Sequence, residues 1–562
     1  MRASRVPSSR IARLMHYGSL GAGLAWGAAG SFLSPSAKPT PPPTGEASPG
    51  ATPPPAAASM GMSPSNVRRL VDKLSRMRGA ALKLGQFLSI QDADLLPKEI
   101  EEVLRQVQSS ANYMPEYQLE GVMRAELGAE WRNHFSRFDV KPFAAASIGQ
   151  VHYAMLSETH PEVPGMEVAV KVQFPGIKES IESDLGYLRW LLAASALLPR
   201  GLFLDKTIQQ MRMELNDECD YEREAEMGRR FGQIFNTPGQ DTKSTSSSSK
   251  AGTRFEVPRI IPSLCTSRVL TTQMMKGRPL SMVSHLSQPR RDALASQLLH
   301  LCLSELFTHR LMQTDPNFSN FLYEPRTRSL QLIDFGATRE YGRDFMDKWL
   351  RLLLAAVGGE EEECRHWSLE VGYLLRDKES GECLESDAMV AAHVRSMILL
   401  GSPFRSKTST AVDARYDFTT HSTLTDAIKA EIPLMLRERK TPPPKETYSL
   451  NRKLSGTFLL CSKLRAKVDC AQVLRDVVEG YRFEDGGVLR AREDGAGGWT
   501  WQVVKDAVSG GASGSTSSPS GSRGLHTSAR LSRGKSGSDK SGPSSYIAVA
   551  DRPRGPRKWE RE

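Results

Sequence analysis

Cysteine is scarce in this chain, and its seven cysteines follow no pairing pattern. They are spread from Cys219 to Cys470, their number is odd, and no Cys-x-x-Cys pair occurs. A disulfide framework needs paired cysteines, and a structural zinc site needs clustered ones. The sequence therefore predicts reduced thiols in a non-oxidising compartment and argues against a disulfide-stapled fold or a zinc site.

Acidic residues are absent from the start of the chain, where the first carboxylate is Glu46. Four arginines precede it, namely Arg2, Arg5, Arg10 and Arg13. An arginine- and serine-containing, acid-poor start is typical of an organellar transit peptide.

Charged residues are also absent from Leu14 to Phe32, a run long enough to cross a bilayer. Its Gly23-x-x-x-Gly27 spacing lets helices approach closely and permits a homodimer. Five glycines make the run only marginally hydrophobic. Two interpretations stay open: residues 14–33 span a membrane, or they belong to a cleaved or flexible leader. The Pro/Ala-rich residues 34–59 follow as a spacer.

Net charge is +10, but the central body of the chain lacks any excess of positive charge. Residues 1–60 hold five basic side chains against one acidic, and residues 487–562 hold thirteen against seven, so the body between them is neutral. A nucleic-acid groove needs positive charge on the folded surface. The distribution therefore argues against a nucleic-acid partner.

A conspicuous stretch runs from Gln313 to Gly336, where Asp315 is followed by Asn320 and then by Asp334-Phe-Gly. Phe318–Tyr323 and Leu330–Ile333 predict a hairpin that brings Asn320 and Asp334 together. This spacing is that of the protein-kinase catalytic loop and its magnesium motif. The hypothesis is that Asn320 and Asp334 bind Mg²⁺ and that Asp315 acts as base or orients water, since hard oxygen ligands favour magnesium over zinc.

Upstream, Phe143 to Ala154 predicts a strand, a turn and a strand, with alanines where kinases carry phosphate-loop glycines. The predicted nucleotide-binding residues of this loop are Ala144, Ala145, Ala146, Ser147 and Gly149. Val-Ala-Val-Lys171 then resembles the strand whose lysine contacts the α- and β-phosphates of ATP. The alternative is an edge-strand lysine without that role.

Lys171 needs an acidic partner, and a single helix over residues 205–228 is predicted to supply it. Ile208, Met211 and Leu215 form an apolar stripe whose next position is Glu218. A carboxylate in line with a buried stripe is costly unless it is paired, so Glu218 is the predicted partner of Lys171. Glu224 lies off that face and is the alternative.

Helices surround these motifs. An amphipathic helix from Ser65 carries Lys83 and Gln86 on its polar face with Gly79, and a further helix is predicted over Pro115–Leu127. That polar face is either simply solvated or approached by another surface. The motif Asp-Phe-Gly is followed within a few residues by a helix, Asp344–Val357, without an Ala-Pro-Glu motif. Further helices are predicted at 360–376, 386–400, 424–438 and 447–480, and disorder is predicted from 487.

Together these motifs resemble the aarF-domain (UbiB-type) atypical kinases, in particular the mitochondrial branch of coenzyme Q biosynthesis. The resemblance rests on Lys83-x-Gly-Gln86, Ala144-Ala-Ala-Ser147, Glu218-Cys-Asp-Tyr-x-Arg-Glu-Ala, Gln313-Thr-Asp-Pro-Asn and Leu332-Ile-Asp-Phe-Gly-Ala-Thr-Arg-Glu, and it covers about residues 65–480. It implies a two-lobed α+β kinase-like fold and binding of ATP or ADP with Mg²⁺. It also implies ATPase activity with suppressed protein phosphorylation. Added helices are expected to bring Lys83 and Gln86 over the active site as further nucleotide-binding residues.

The same resemblance implies a place at the mitochondrial inner membrane, facing the matrix. The expected partners are coenzyme Q biosynthesis proteins and lipid or quinone intermediates. A true small-molecule or protein kinase and a nucleotide-binding scaffold remain alternative functions. The predicted division is a leader and spacer at 1–59, a helical extension at 60–135, a small lobe at 136–279, a large lobe at 280–485 and a disordered tail at 486–562.

Overall fold

The structure is a computed structural model that describes residues 113–145, 148–195, 203–236, 255–283, 285–406, 415–493 and 498–505. Several sequence predictions lie outside these residues. They are the segment 14–33, the helix with Lys83 and Gln86, Ala146 and Ser147 of the loop, and the chain beyond 505.

The described residues form eleven α-helices and fifteen strands. The helices are α1 (Glu116–Leu127), α2 (Ile177–Ser195), α3 (Leu204–Glu218), α4 (Tyr221–Phe235), α5 (Gln288–Phe307), α6 (Arg343–Gly358), α7 (Glu361–Val371), α8 (Asp387–Gly401), α9 (His421–Glu438), α10 (Lys445–Lys463) and α11 (Cys470–Val478). The strands are β1 (Phe135–Phe138), β2 (Ala144–Ala145), β3 (Gly149–Leu156), β4 (Glu167–Gln173), β5 (Phe255–Glu256), β6 (Val269–Gln273), β7 (Arg278–Pro279), β8 (Leu311–Gln313), β9 (Phe321–Glu324), β10 (Ser329–Leu332), β11 (Thr338–Glu340), β12 (Tyr416–Asp417), β13 (Lys467–Val468), β14 (Gly487–Glu493) and β15 (Trp499–Lys505).

The small lobe is built on an antiparallel sheet with the strand order β1-β3-β4-β6, and β2 pairs with β3. Along β4 the side chains alternate between two faces, as in any strand. Val168, Val170 and Val172 are fully buried in the lobe core, and α1 packs into the same core through Leu119 and Met123. The opposite face of β4 therefore presents Lys171 to the space between the lobes.

The helix predicted over 205–228 is wrong, because the chain forms two helices there. Helix α3 ends at Glu218, and the Asp220 side chain accepts a hydrogen bond from the Arg223 amide as the N-cap of α4. An aspartate at this position satisfies one of the free amides at a helix start. The stripe predicted from Ile208, Met211 and Leu215 is confirmed as buried, but it belongs to α3 alone. The helical phase therefore restarts at Asp220.

The large lobe surrounds α5, whose leucines lie in a core that also takes in α6 and α10. A second sheet, with the order β5-β10-β9-β7, lies against the cleft. The predicted hairpin is confirmed, since β9 and β10 pair in antiparallel register from Phe321–Leu332 to Glu324–Ser329. Strand β6 of the first sheet ends at Gln273, and β7 of the second sheet begins at Arg278.

Two predictions for the last part of the chain are wrong. Residues 447–480 form two helices, α10 and α11, with β13 between them. Residues 487–493 and 499–505 are not disordered, since β14 and β15 pair in antiparallel register along their whole length. Val488 and Leu489 are buried, and Leu489 belongs to the large-lobe core. Burial of these apolar residues stabilises a segment that overall composition marked as a tail.

Among the described residues, no helix has both the length and the apolar character needed to cross a membrane. The membrane-spanning interpretation of residues 14–33 stays a prediction, as do the predicted domain boundaries.

Candidate active site

A cleft of about 370 Å³ lies between the lobes and is lined by most of the described residues that the sequence singled out. From the small lobe it takes Ala144, Ala145, Lys171, Glu218 and Glu224. From the large lobe it takes Asp315, Asn320, Asp334 and Gly336. Its wall near the hinge is apolar, with Ala169, Leu270, Met274, Leu322 and Ile333. An apolar cleft with a few convergent polar groups is the usual form of a small-ligand site.

Lys171 makes its ion pair with Glu224. The ammonium nitrogen lies 2.7 and 2.8 Å from the two carboxylate oxygens, and both side chains are largely buried. The ring of Tyr221 lies 5.0 Å from the same nitrogen. The prediction that Glu218 is the partner of Lys171 is therefore wrong, and the alternative, Glu224, is right.

The physical reason is the helix break. A continuous helix would carry the stripe of Leu215 on to Glu218, whereas the new helix begun at Asp220 places Glu224 in its first turn, facing β4. Glu218 still lines the cleft as the last residue of α3. The missed signal was Asp220 itself, an N-cap residue followed by acidic residues in a first turn.

Burial and neighbouring charges shift the pKa values of Lys171 and Glu224 in opposite directions. Burial alone would lower the pKa of Lys171, but the carboxylates of Asp334 and Glu224 outweigh it and hold that pKa well above its ordinary value. Burial raises the pKa of Glu224 to about 7 against the opposing pull of Lys171. The charge of each group therefore depends on the presence of the other.

Asp334 has a left-handed backbone conformation, with φ of +68°. Aspartate adopts the left-handed conformation more readily than most residues do, but this conformation is uncommon for any residue except glycine. Its carboxylate accepts a hydrogen bond from the Gly336 amide and lies 3.7 Å from the Lys171 nitrogen. The turn thus brings the carboxylate into the cleft beside the lysine.

Asp315 and Asn320 lie side by side in the large-lobe lining of the cleft. The Asn320 amide nitrogen donates to one carboxylate oxygen of Asp315 at 2.9 Å and to its backbone carbonyl at 3.3 Å. The Asn320 carbonyl in turn accepts from the amide of Ile333, which ties the loop to the start of the Asp-Phe-Gly segment. The amide of Asn320 therefore holds Asp315, while its side-chain oxygen is the atom suited to a cation.

The donor set fits magnesium in the manner of a kinase cleft. The described residues contain no group of three or more His, Cys, Asp or Glu side chains placed to hold a metal ion. Mg²⁺ does not require such a cage, because it is commonly bound by one or two carboxylates together with substrate phosphates and water. The Asp334 carboxylate and the Asn320 side-chain oxygen both belong to the large-lobe lining of the cleft and are ligands of the type that Mg²⁺ prefers.

Comparison with known proteins agrees with this geometry. Residues 106–368 match the ABC1 atypical kinase-like domain. The mitochondrial atypical kinase COQ8 of Saccharomyces cerevisiae is 44% identical over 477 residues, which cover 85% of this chain and 86% of that protein. The chain belongs to the ABC1 atypical kinase-like family. This membership confirms the resemblance and the two-lobed α+β fold, and it makes the protein an atypical kinase.

Other relatives are similar in extent. COQ8 of Schizosaccharomyces pombe is 42% identical over 490 residues, covering 85% of this chain and 71% of its own. COQ8B of Rattus norvegicus is 38% identical over 480 residues, covering 85% and 82%. A Mycobacterium tuberculosis protein solved with erythromycin aligns with 74% of this chain and 96% of its own, at 22% identity and a TM-score of 0.47. That last likeness is too low to add to the argument.

The segment after Asp-Phe-Gly departs from the ordinary kinase arrangement in this ABC1 chain. The Arg223 guanidinium donates to the backbone carbonyls of Gly336, at 2.9 Å, and Thr338. Phe335 packs on Phe231 with ring centroids 4.9 Å apart. The chain then forms β11 and enters α6 at Arg343. Sequence reasoning missed Arg223, because its partners are carbonyls more than 110 residues away.

In the phosphate loop, the structure shows a packing role for Gly149. A Cβ added at Gly149 would lie 2.6 Å from the Tyr221 hydroxyl oxygen and 2.7 Å from the Val172 carbonyl oxygen. Glycine is therefore required where β3 meets β4 and α4. The nucleotide-binding roles of Gly149 and of the alanines at 144–146 stay predictions.

Proposed function

We propose that this chain is a Mg²⁺-dependent ATPase of the atypical kinase type that supports coenzyme Q biosynthesis at the matrix face of the mitochondrial inner membrane. Its family supplies the general part of this role, an atypical kinase of the mitochondrial coenzyme Q branch. The proposal adds hydrolysis as the reaction. It also adds lipid intermediates and the other coenzyme Q biosynthesis proteins as the setting in which the reaction is used.

The observation that carries the proposal is the short segment between Gly336 and α6. Protein kinases use a long segment after Asp-Phe-Gly to dock their substrates. Here that segment is replaced by β11, and Arg223 binds its backbone to α4. A protein hydroxyl has no comparable platform in the described residues, so water is the favoured acceptor of the γ-phosphoryl group.

The cleft residues have distinct roles in the proposed reaction. Lys171, oriented by Glu224, binds the α- and β-phosphates, and the apolar wall near Met274 accepts the base. Asn320 and Asp334 hold Mg²⁺, which neutralises charge on the phosphates when bound. Asp315 has one carboxylate oxygen fixed by Asn320, and its other oxygen can orient the attacking water and accept its proton.

Full-length protein, Mg²⁺ and γ-labelled ATP, with liposomes and candidate quinone precursors, separate the possible functions. Free labelled phosphate without a labelled product supports the ATPase. Label on a lipid or protein indicates a true kinase instead. Nucleotide binding without turnover indicates a scaffold and contradicts the proposal.

A further inference from the structure

Helix α10 contacts the backbone on both sides of Asp315. The Lys453 ammonium donates to the Gln313 carbonyl at 2.6 Å, and the Arg452 Nε donates to the Thr314 carbonyl at 3.4 Å. On the far side of Asp315, Pro316 packs against the same helix at Gly456. One helix, about 140 residues later in the chain, thus contacts residues 313, 314 and 316, here called the loop segment.

The contact at Gly456 is unusually close. A Cβ added there would lie 2.1 Å from Cγ and 2.5 Å from Cβ of Pro316, well inside van der Waals contact. Glycine is a poorer helix former than alanine in a helix interior. Its presence in the middle of α10 is explained by this approach, because every other residue would push Pro316 away.

The two charged side chains of α10 that contact the loop segment, Arg452 and Lys453, are buried and form ion pairs. Lys453 pairs with Glu305 at 2.9 Å, and both side chains are about 2% exposed. Arg452 forms two hydrogen bonds to the Glu214 carboxylate, at 3.0 and 3.1 Å, and a third to the Thr314 hydroxyl at 3.3 Å. Buried charges are costly compared with apolar packing of similar volume, so they add little stability for their own sake. What Arg452 and Lys453 share is a hydrogen bond to the loop segment.

Thr314 stands where the kinase motif His-Arg-Asp has its arginine. In kinases that are switched on by phosphorylation, arginines pair with the added phosphate and order the activation loop. In this chain the guanidinium is that of Arg452 on α10. Its acidic partner is the Glu214 carboxylate of α3, which is present without any phosphorylation. Helix α3 packs in the small-lobe core through Met211 and Leu215.

We propose that α10 is a positioning element for the reaction, in which Arg452, Lys453 and Gly456 hold the loop segment so that Asp315 is in place without a phosphorylated activation segment. The Glu214–Arg452 pair joins this element to the small lobe. The inference rests on the proposed function, because its readout is hydrolysis of ATP.

The test compares Gly456→Ala with Ser455→Ala in the full-length protein. Ser455 is the neighbouring residue on the exposed face of α10 and serves as the matched control. Displacement of a catalytic group by about 1 Å can cost roughly 100-fold in rate. Gly456→Ala is expected to lower kcat for Mg-ATP hydrolysis about tenfold or more, with KM for ATP changed less than about twofold, because Lys171 and Glu224 are untouched. Ser455→Ala is expected to keep the wild-type kcat.

A double-mutant cycle with Pro316→Gly keeps the test independent of general damage to the fold. Pro316→Gly removes the atoms that the new methyl group meets, so Gly456→Ala is expected to cost less than about threefold in that background. Equal losses in both backgrounds, or an unchanged kcat in Gly456→Ala, would overturn the inference. A wild-type protein that binds Mg-ATP but releases no phosphate would overturn the proposed function and this inference together.

Arg452→Lys provides a second variant, since lysine keeps the charge but lacks the fork that reaches Glu214 and Thr314 together. We expect a lower kcat with KM for ATP preserved. A wild-type kcat in this variant would remove Arg452 from the positioning element.

Discussion

The two lobes hold the cleft by different means. The small lobe contributes a buried ion pair between neighbouring elements, with Lys171 on β4 and Glu224 in the first turn of α4. The large lobe contributes Asp315 and Asn320 on a loop whose backbone is held by hydrogen bonds and by close packing. The difference indicates that the small-lobe pair acts through its own charges, whereas in the large lobe the side chains of α10 act on the backbone of the loop.

The largest effect is expected where both lobes meet, at Asp334. Asp334→Asn keeps the size of the side chain but removes the negative charge that faces Lys171 and, in the proposed reaction, Mg²⁺. We expect phosphate release from Mg-ATP to fall at least about 100-fold, since removal of a single electrostatic group at a reacting centre has effects of that order. Asp344→Asn, at an exposed aspartate paired with Lys348, is the matched control. Unchanged nucleotide binding and hydrolysis in Asp334→Asn would show that the site is assigned to the wrong residues.

The charge dependence of the small lobe is tested by comparing two glutamates. Glu224→Gln leaves Lys171 buried beside a neutral partner, and we expect the free energy of unfolding to fall by about 3 kcal/mol. Glu226→Gln, in the same helix, removes only an exposed pair with Arg229, and we expect a loss within about 1 kcal/mol. Urea unfolding of both variants measures the difference. Similar losses would mean that the ion pair seen at Glu224 does not dominate the stability of this lobe.

A smaller effect is expected from two glycines of α4, which joins the lobes. A Cβ added at Gly228 would lie 3.0 Å from Ile260 Cδ1 and 3.2 Å from a ring carbon of Phe335, whereas one at Gly232 meets nothing closer than 3.6 Å. Alanine favours a helix over glycine by about 1 kcal/mol. Gly232→Ala should therefore stabilise the protein, and Gly228→Ala should gain less or nothing. Thermal unfolding that ranks the two in the opposite order would contradict the close packing of Phe335 on α4.

The large-lobe site was largely predictable because its parts are close in sequence. Asp315 and Asn320 lie on one loop, and the β9–β10 hairpin returns the chain so that Asp334 follows its second strand close to Asn320, which precedes its first. The small-lobe pair was less predictable. The apolar stripe of α3 was right, but the N-cap at Asp220 reset the helical phase and changed the partner of Lys171 from Glu218 to Glu224.

The contacts of α10 had no local signal. Arg452 and Lys453 have the sequence character of a solvated helix face, and only the tertiary structure shows that they reach Gln313 and Thr314. The β14–β15 hairpin was missed for a related reason. The Gly/Ser-rich composition of the tail outweighed the short apolar segment at Val488 and Leu489, which packs on a surface that the sequence does not reveal.

The role of Asp315 is tested by measuring phosphate release at saturating Mg-ATP from the full-length protein and from Asp315→Asn, with bound nucleotide measured in parallel. The Asp315 carboxylate is held by Asn320, whereas the proposed phosphate contacts come from the Lys171–Glu224 pair. We therefore expect that nucleotide still binds to Asp315→Asn while hydrolysis falls at least about 100-fold. Equal rates of hydrolysis in the two proteins would show that the Asp315 loop does not perform the chemistry of the cleft.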